Sequence, residues 1–525
     1  MNAFSSDEMQ NKEKSRDIFA LIYAVFVAGL CSIVYELLIA TTVSYFQGDA
    51  IKYFSITIGL YMAAMGAGAY LSKFVRGNLF ATLIGAETLL GFLGAFSIPA
   101  LYLFFSHAND LFLPAYYVLT LVIGFLIGLE IPFLTRLLER YDNLRISIAH
   151  VLSLDYFGAL IATIAFPLVL LPFFGTFKSG LFFGLMNMTI GLVLLWQFGD
   201  KVGRKNKKVF RSLSILIAAS IAVSFYLSQD LLKKWNETVY DGRIIYSERT
   251  RYQQIILNQY RHDLRLYLDG NLQFSSLDEY RYHEALVHVP MAELKVRGLE
   301  RTNVLFLGGG DGLGVREALK HDTVSTITLV DLDPAVTKLA TENTHVTRLN
   351  ENSLTRDNRV RVLNKDAFTF LKDRRQLYDL IVIDLPDPNN TELARLYTQE
   401  FYRLAKSNLS EDGVLVTQST SPFYARKAFW GIKASLAAEF DTTLPYHASV
   451  PSFGDWGFMM ASRRDIDPAV LGQNLPDGLK FLSAKLVPGL FVFPDDLMQT
   501  NVEPSTLDRP VILDYYLEGW KYWGR

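Results

Sequence analysis

The apolar positions of this chain follow two regimes. Up to about residue 228 they run in long, barely interrupted stretches; after it they come in short runs between polar residues. About 20 consecutive apolar residues let a helix cross a bilayer. Seven stretches reach that length, roughly 18–46, 53–74, 79–105, 112–134, 148–172, 177–198 and 209–228. An open strand would leave its backbone unsatisfied in lipid, so these stretches read as helices. Small residues at close spacing, as in YMAAMGAGAY, suit tight helix–helix contact. The pattern predicts an N-terminal all-α transmembrane bundle over residues 1–230, seated in the cell (inner) membrane with the lipid bilayer as its partner.

Charge gives the bundle an orientation. Lys12, Lys14 and Arg16 precede the first stretch, and Lys73 and Arg76 follow the second. Arg136, Arg140 and Arg145 follow the fourth, and DKVGRKNKKVFR follows the sixth. These segments alternate sides consistently, and the positive-inside bias puts the N-terminus in the cytoplasm. Four acids, Glu36, Glu87, Glu130 and Asp155, lie at membrane depth. Such residues line functional cavities or organise the bundle by pairing, here with Arg136, Arg145 or His150.

Residues 235–298 change to period-two alternation, as in YQQIILNQY and LRLYLDGNLQF, with a turn at Asp269–Gly270. This predicts a small antiparallel β-subdomain, followed by a helix over DEYRYHEALVHVPMAEL. Over 299–465, short apolar strands alternate with segments of helical period. The strands are NVLFLGGG, TITLVDLD, RVRVLNKDA, YDLIVIDLPD and GVLVTQST. The expectation is an α/β Rossmann-like, methyltransferase-type domain, whose ligands bind at the C-terminal ends of the strands. Asp311, Asp331, Asp333, Asp366, Asp384, Asp387 and Gln418 sit at such ends. Residues 466–525 form a C-terminal extension, and the aromatics of its LDYYLEGWKYWGR end are expected to pack on the domain.

Composition narrows this picture only a little. Half of the 525 residues are apolar and the net charge is −2, which gives no reason to expect nucleic acid. The single cysteine, Cys31, excludes disulfides within the chain. The polar residues 1–17 precede an apolar run too long for a signal-peptide core, so an anchor is expected.

The glycine loop, Gly308 to Gly314 with Asp311 and Leu313 between, lacks strict G-x-G-x-x-G spacing. Asp331 lies about 20 residues on, the distance of an acid that holds ribose hydroxyls. Asp311 would repel a pyrophosphate, so a dinucleotide is disfavoured. An adenosine carrying a sulfonium fits better, and decarboxylated S-adenosylmethionine also ends in an ammonium that Asp311 would welcome. In VIDLPDPNN, Asp384 and Asp387 offer two acids at one strand mouth. An alkylamine, with a pKa of about 10.4, arrives protonated and without a lone pair. A carboxylate there can bind a diamine and free its attacking nitrogen.

The ordered series RYQQI, LDGNLQFSSLDEYRYHEALVHVP, LGGGDGLGVREALKH, VDLDP, NKDAF, VIDLPDP and SEDGVLVTQ resembles the spermidine synthase (polyamine aminopropyltransferase) family over roughly residues 235–465. The whole chain looks like the multi-pass membrane branch of that family. The resemblance implies transfer of an aminopropyl group from decarboxylated S-adenosylmethionine, as co-substrate, to a putrescine-like polyamine acceptor. Spermidine and methylthioadenosine would be the products. It implies donor binding by Gln253, Gly308, Gly310, Asp311, Asp331, Asp366 and Ala367, with Asp384 as catalytic base. Tyr282, His283, Asp387 and Gln418 would line the acceptor pocket. No prosthetic group or metal is expected, and the family's habit of dimerising suggests a homodimer. Two departures touch the acceptor side. Phe453 in VPSFGDWGF stands near the family's acceptor tyrosine, and PDPNNTE replaces an SDPxGPA-like stretch.

Two other readings remain open at this point. One is an S-adenosylmethionine-dependent N-methyltransferase, against which Asp311 counts because a substrate carboxylate would lie beside it. The other is a polyamine transporter or sensor with a binding domain that no longer turns over; the intact set Asp311, Asp331 and Asp384 counts against that. Adenosylated donors are made in the cytosol, so a cytosolic active site is expected, although seven spans and the basic residues place it outside.

Overall fold

The computed structural model describes residues 3–47, 50–141, 143–240, 242–373 and 376–523. They divide into two compact units, Met1–Tyr240 and Asp241–Arg525.

The first unit is helical: α1 Ala3–Gln47, α2 Ala50–Leu71, α3 Leu79–His107, α4 Phe112–Leu138, α5 Leu144–Ala165, α6 Gly175–Val202, α7 Arg204–Tyr226 and α8 Ser228–Val239. Asn78 and Asn143 cap α3 and α5, accepting from Ala81 N (3.2 Å) and Ile146 N (3.1 Å). Among the described residues there are six helical stretches long and apolar enough to cross a membrane, not the seven expected. The stretches 148–172 and 177–198 join in one 59-residue run, Leu144–Val202, because no polar segment separates them. A π-helical turn, Phe166–Phe174, links α5 to α6, and Gly175 (φ +67°) breaks the helical path there. Both limbs lie along α1. A Cβ on Gly29 would sit 2.5 Å from the Asp155 carbonyl oxygen, and the Tyr35 hydroxyl donates to the Phe183 carbonyl at 3.1 Å. Positions 155 and 183 therefore meet α1 at neighbouring levels, and the run folds back on itself.

The small residues act as expected. A Cβ on Gly68 would lie 2.2 Å from Phe125 O, and one on Gly128 2.1 Å from Met65 O, so α2 and α4 touch backbone to backbone. The acids depart from expectation. Among the described residues none of the four pairs with Arg136, Arg145 or His150. Arg136 donates instead to the Ser72 and Val75 carbonyls, at 3.2 Å each. The fully buried Glu87 accepts from Asn187 Nδ2 at 3.0 Å. The basic segments do gather at one end. Asp17 accepts there from Tyr141 Oη (2.6 Å), Gln197 Nε2 (2.6 Å) and Lys201 Nζ (3.4 Å), and Asn78 Nδ2 donates to Lys201 O. At the other end, Trp235 of α8 packs against Tyr102 and Phe177, so residues 235–239, expected to open the β-subdomain, finish the helical unit.

The second unit carries two sheets. Strands β1 Arg243–Arg249, β2 Gln254–Tyr260, β3 Asp263–Leu268 and β4 Asn271–Ser275 form an antiparallel sheet in that order, followed by helix α9, Glu279–Val296. The larger sheet comprises β5 Thr302–Gly308, β6 Val324–Asp331, β7 Val360–Asn364, β8 Tyr378–Asp384, β9 Leu409–Gln418, β10 Thr442–Val450 and β11 Gly454–Ser462. Its order is β10-β11-β9-β8-β5-β6-β7, with β7 to β9 parallel and the β10–β11 hairpin antiparallel at the edge. Pro445 is tolerated in β10 because that strand is an edge. The central strands are buried on both faces, which is why NVLFLG and LIVID read as unbroken apolar runs. The C-terminal extension packs on this unit. Glu284 of α9 accepts from the backbone N–H groups of Lys480, Phe481 and Leu482 at 2.8–2.9 Å.

Candidate active site

The strand order reverses between β5 and β8, the place where open α/β sheets bind ligands. There Gly308 and Asp384 are register partners. The glycines are needed for packing. A Cβ on Gly308 (φ +82°) would lie 2.0 Å from the Asp384 carbonyl oxygen, and one on Gly310 would lie 2.5 Å from Asp331 Oδ2. The loop thus lets two acid-bearing strand ends close on each other, and α10, Leu313–Ala318, starts beyond it.

One cleft collects Gln253, Tyr282, His283, Gly308, Gly310, Asp311, Asp331, Asp366, Ala367, Asp384, Asp387 and Gln418, but not Asp333. Asp331 accepts from Gly310 N (3.1 Å) and Asp333 N (2.9 Å). Burial lifts its carboxyl to about 6, with those two N–H groups acting in the opposite sense. Asp311 accepts from Leu313 N at 2.9 Å, just ahead of α10, and lines the cleft. Burial raises it too, against the pull of His283. Asp333, expected among the functional acids, is a cap and a clamp. Its Oδ1 accepts from Ala335 N (3.0 Å), and its Oδ2 from Thr250 Oγ1 (2.7 Å) and Gln253 Nε2 (3.2 Å). Asp366 caps the next helix through Thr369 N (2.8 Å) and pairs with Arg395 (2.6 Å). Arg395 is a cleft residue that the sequence reading missed.

Across the cleft, Tyr282 Oη donates to Asp384 Oδ1 at 2.5 Å. Burial lifts Asp384 to about 6, His283 pulls it down and Asp311 pushes it up. Burial by itself would lower His283, yet the Glu279 carboxylate, 2.9 Å from Nδ1, raises it to about 9. Glu279 is held in turn by Arg316, at 2.9 Å to each oxygen. The imidazolium so fixed offsets part of the negative charge of Asp311 and Asp384. The i, i+4 spacing of Glu279 and His283 in DEYRYHE carried that signal.

The Asp387 carboxylate is held by side chains. Gln418 Nε2 (3.2 Å) donates to Oδ1 and Thr420 Oγ1 (3.2 Å) to Oδ2, and Tyr516 lines the cleft with this carboxylate. Burial lifts it to about 6, with Gln418, Tyr516 and Thr420 acting in the opposite sense. Gln418 Nε2 also lies 2.5 Å from Tyr397 Oη and 2.6 Å from Leu385 O. Thr420 adopts φ +55°, strained for a β-branched residue, and its N–H bonds Gln418 Oε1 at 3.0 Å. Phe453 and Trp456 close this side, with the Trp456 indole N–H buried and unpartnered. Among the described residues no group of three or more His, Cys, Asp and Glu side chains is arranged to hold a metal ion.

The spermine/spermidine synthase domain family matches residues 279–469. The polyamine aminopropyltransferase of Leptospira interrogans is 39% identical over 501 residues, spanning 95% of this chain and 98% of its own. That of Oceanobacillus iheyensis is 38% identical over 525 residues, spanning 98% and 100%. A crystal structure of spermidine synthase in complex with the transition state analogue AdoDATO is 28% identical, covering 48% of this chain and 86% of that one, with a TM-score of 0.44. Identity at this level runs through the apolar helices as well as the α/β unit, and the chain belongs to the polyamine aminopropyltransferase family, as an aminopropyltransferase.

Proposed function

We propose that this aminopropyltransferase moves the aminopropyl group of decarboxylated S-adenosylmethionine to a diamine, giving spermidine and methylthioadenosine when putrescine is the acceptor. The observation that carries the reading is the placing of Asp311 and Asp384 in one glycine-lined cleft. One acid suits the ammonium end of the donor, the other the attacking amine. The family uses decarboxylated S-adenosylmethionine as its donor.

In this reading Asp331 holds the ribose, Gln253 the nucleoside part, and Asp366 and Ala367 the adenine edge. Asp311 receives the aminopropyl ammonium. The acceptor arrives as a dication. Asp384, aligned by Tyr282, takes a proton from the nearer ammonium, whose lone pair then forms the new N–C bond to the propyl carbon. The C–S bond breaks with its electrons going to sulfur, so a neutral thioether leaves. Asp387 keeps the far ammonium. A base with a pKa near 6 is ionised at neutral pH, as this step needs, and general-base help is worth about 10²–10⁴-fold.

Incubating the full chain in detergent with putrescine and either donor, followed by mass spectrometry, tests this. Spermidine and methylthioadenosine should form from the decarboxylated donor only. A methylated amine from S-adenosylmethionine, or no product from either, would contradict it.

The reading includes a cytosolic active site, because the donor is made there. The basic end of the helical unit argues the other way, since α8 leaves the bundle at the opposite end. Donor supply is a requirement, whereas the placement of basic residues is a bias. With Cys31 buried, Asp477→Cys in intact cells should resist a membrane-impermeant maleimide, and its labelling would overturn this placement.

A further inference from the structure

The C-terminal extension takes no part in the roles above, yet its last helix, Val511–Tyr522, reaches the acceptor side of the cleft. Ile512, Tyr516 and Trp520 recur every four residues and so share one face of that helix. Ile512 is fully buried, and Trp520 stacks on Tyr424 with ring centroids 5.0 Å apart. Beside that face, a Cβ on Gly519 would lie 2.7 Å from Ala425 Cα, so the helix approaches the Tyr424–Ala425 backbone as closely as a residue without a side chain allows. This seating puts the Tyr516 side chain in the cleft wall together with Asp387 and Gln418. Burial and the Asp387 charge push the phenol above its ordinary range, which keeps it a donor.

The donors to Asp387, Gln418 and Thr420, come from the end of β9 and the residues just beyond it. The extension brings Tyr516 into the same cleft lining. Phe453, which also lines the cleft, offers no hydroxyl. A diamine needs one acid for the nitrogen that reacts and a second, held in place, for the nitrogen that stays charged.

We propose that Tyr516 is a positioning residue for the acceptor. The C-terminal helix completes the acceptor pocket, and Tyr516 sets, through Asp387, where the far ammonium of the acceptor lies and hence how long an acceptor fits. This rests on the aminopropyl-transfer reading.

The test is steady-state kinetics on the full chain in detergent, with the decarboxylated donor and diamines of three, four and five methylenes plus spermidine. Tyr516→Phe keeps the ring and its packing. It should raise KM for the preferred diamine about tenfold, while donor KM and kcat stay within about twofold. Tyr516→Ala should move the preference toward a longer acceptor. An unchanged acceptor KM in Tyr516→Phe would overturn the proposal. So would a parallel loss for the donor and every acceptor, which is the mark of a merely structural role. If Tyr516→Ala does not fold, the Tyr516→Phe result decides alone. A wild-type chain inactive with every diamine would sink the parent reading and this one together, whereas an active wild type with an indifferent Tyr516→Phe would sink only this one.

Discussion

On the proposed donor side of the cleft, Gly308, Gly310, Asp311 and Asp331 come from one continuous β5–loop–α10–β6 unit, and backbone N–H groups hold the acids. On the proposed acceptor side, Tyr282, Asp384, Asp387, Gln418 and Tyr516 come from α9, the mouth of β8, the end of β9 and the C-terminal helix, and side chains hold the acids. A site fixed by backbone tolerates little change, because shifting a main-chain donor means shifting a strand. A site fixed by side chains can be retuned one hydroxyl at a time. The donor should therefore be the constant of this chemistry and the acceptor its variable.

The comparison can be broken most severely where the two sides meet. Gly308→Ala would place a Cβ 2.0 Å from Asp384 O at a positive φ, so β5 and β8 must part. A misplacement of about 1 Å costs about 10²-fold in rate, and the overpacking costs about 1–3 kcal/mol of stability. Activity assays and thermal unfolding of the full chain should show both losses. Asp311→Asn attacks the donor side alone. Losing a charge-assisted hydrogen bond of about 1.5–3 kcal/mol should weaken donor binding about tenfold to a hundredfold and leave acceptor KM unchanged. Calorimetric titration with the decarboxylated donor reads this directly.

A pH profile sharpens the contrast further. In the proposed reaction Asp384 must be ionised to take a proton, and burial lifts its carboxyl to about 6, above the ordinary range. The rate with both substrates saturating should be flat near neutral pH and fall about tenfold per unit once the pH drops below about 6. A flat profile down to pH 5 would remove Asp384 as the base. The smallest effect is expected from Phe453→Tyr, which adds a hydroxyl beside Tyr282 and the unpartnered Trp456 N–H. It should change acceptor KM by less than about tenfold and donor KM not at all.

The same contrast explains what could be read from the sequence. The strand ends announce themselves as apolar runs stopped by an acid, so Asp311, Asp331, Asp384 and Asp387 were legible, and the structure gathers them in one cleft. Asp331 and Asp333 end the same strand and look alike in the sequence. Only the local backbone path, which turns Asp333 onto Ala335 N and Thr250, tells the cap from the cleft acid. Tyr516 was illegible because its helix shows nothing but packing periodicity, and Asp387 lies far away along the chain. The edge hairpin β10–β11 escaped because its Pro445 and Gly454 read as loop. In the helical unit, apolar composition marks length but not reversal. Gly175 turns the 59-residue run back without any polar residue to signal it.

The division between binding and chemistry is tested most directly by one paired measurement on Asp384→Asn: donor affinity by calorimetry and the rate of methylthioadenosine formation with putrescine. The variant keeps the shape of the side chain and an acceptor for Tyr282, and loses the base. Donor affinity should stay within about twofold of wild type while the rate falls by about 10²–10⁴-fold. A rate near that of wild type, or a loss of donor binding as large as the loss of rate, would contradict the assignment of Asp384 as the base.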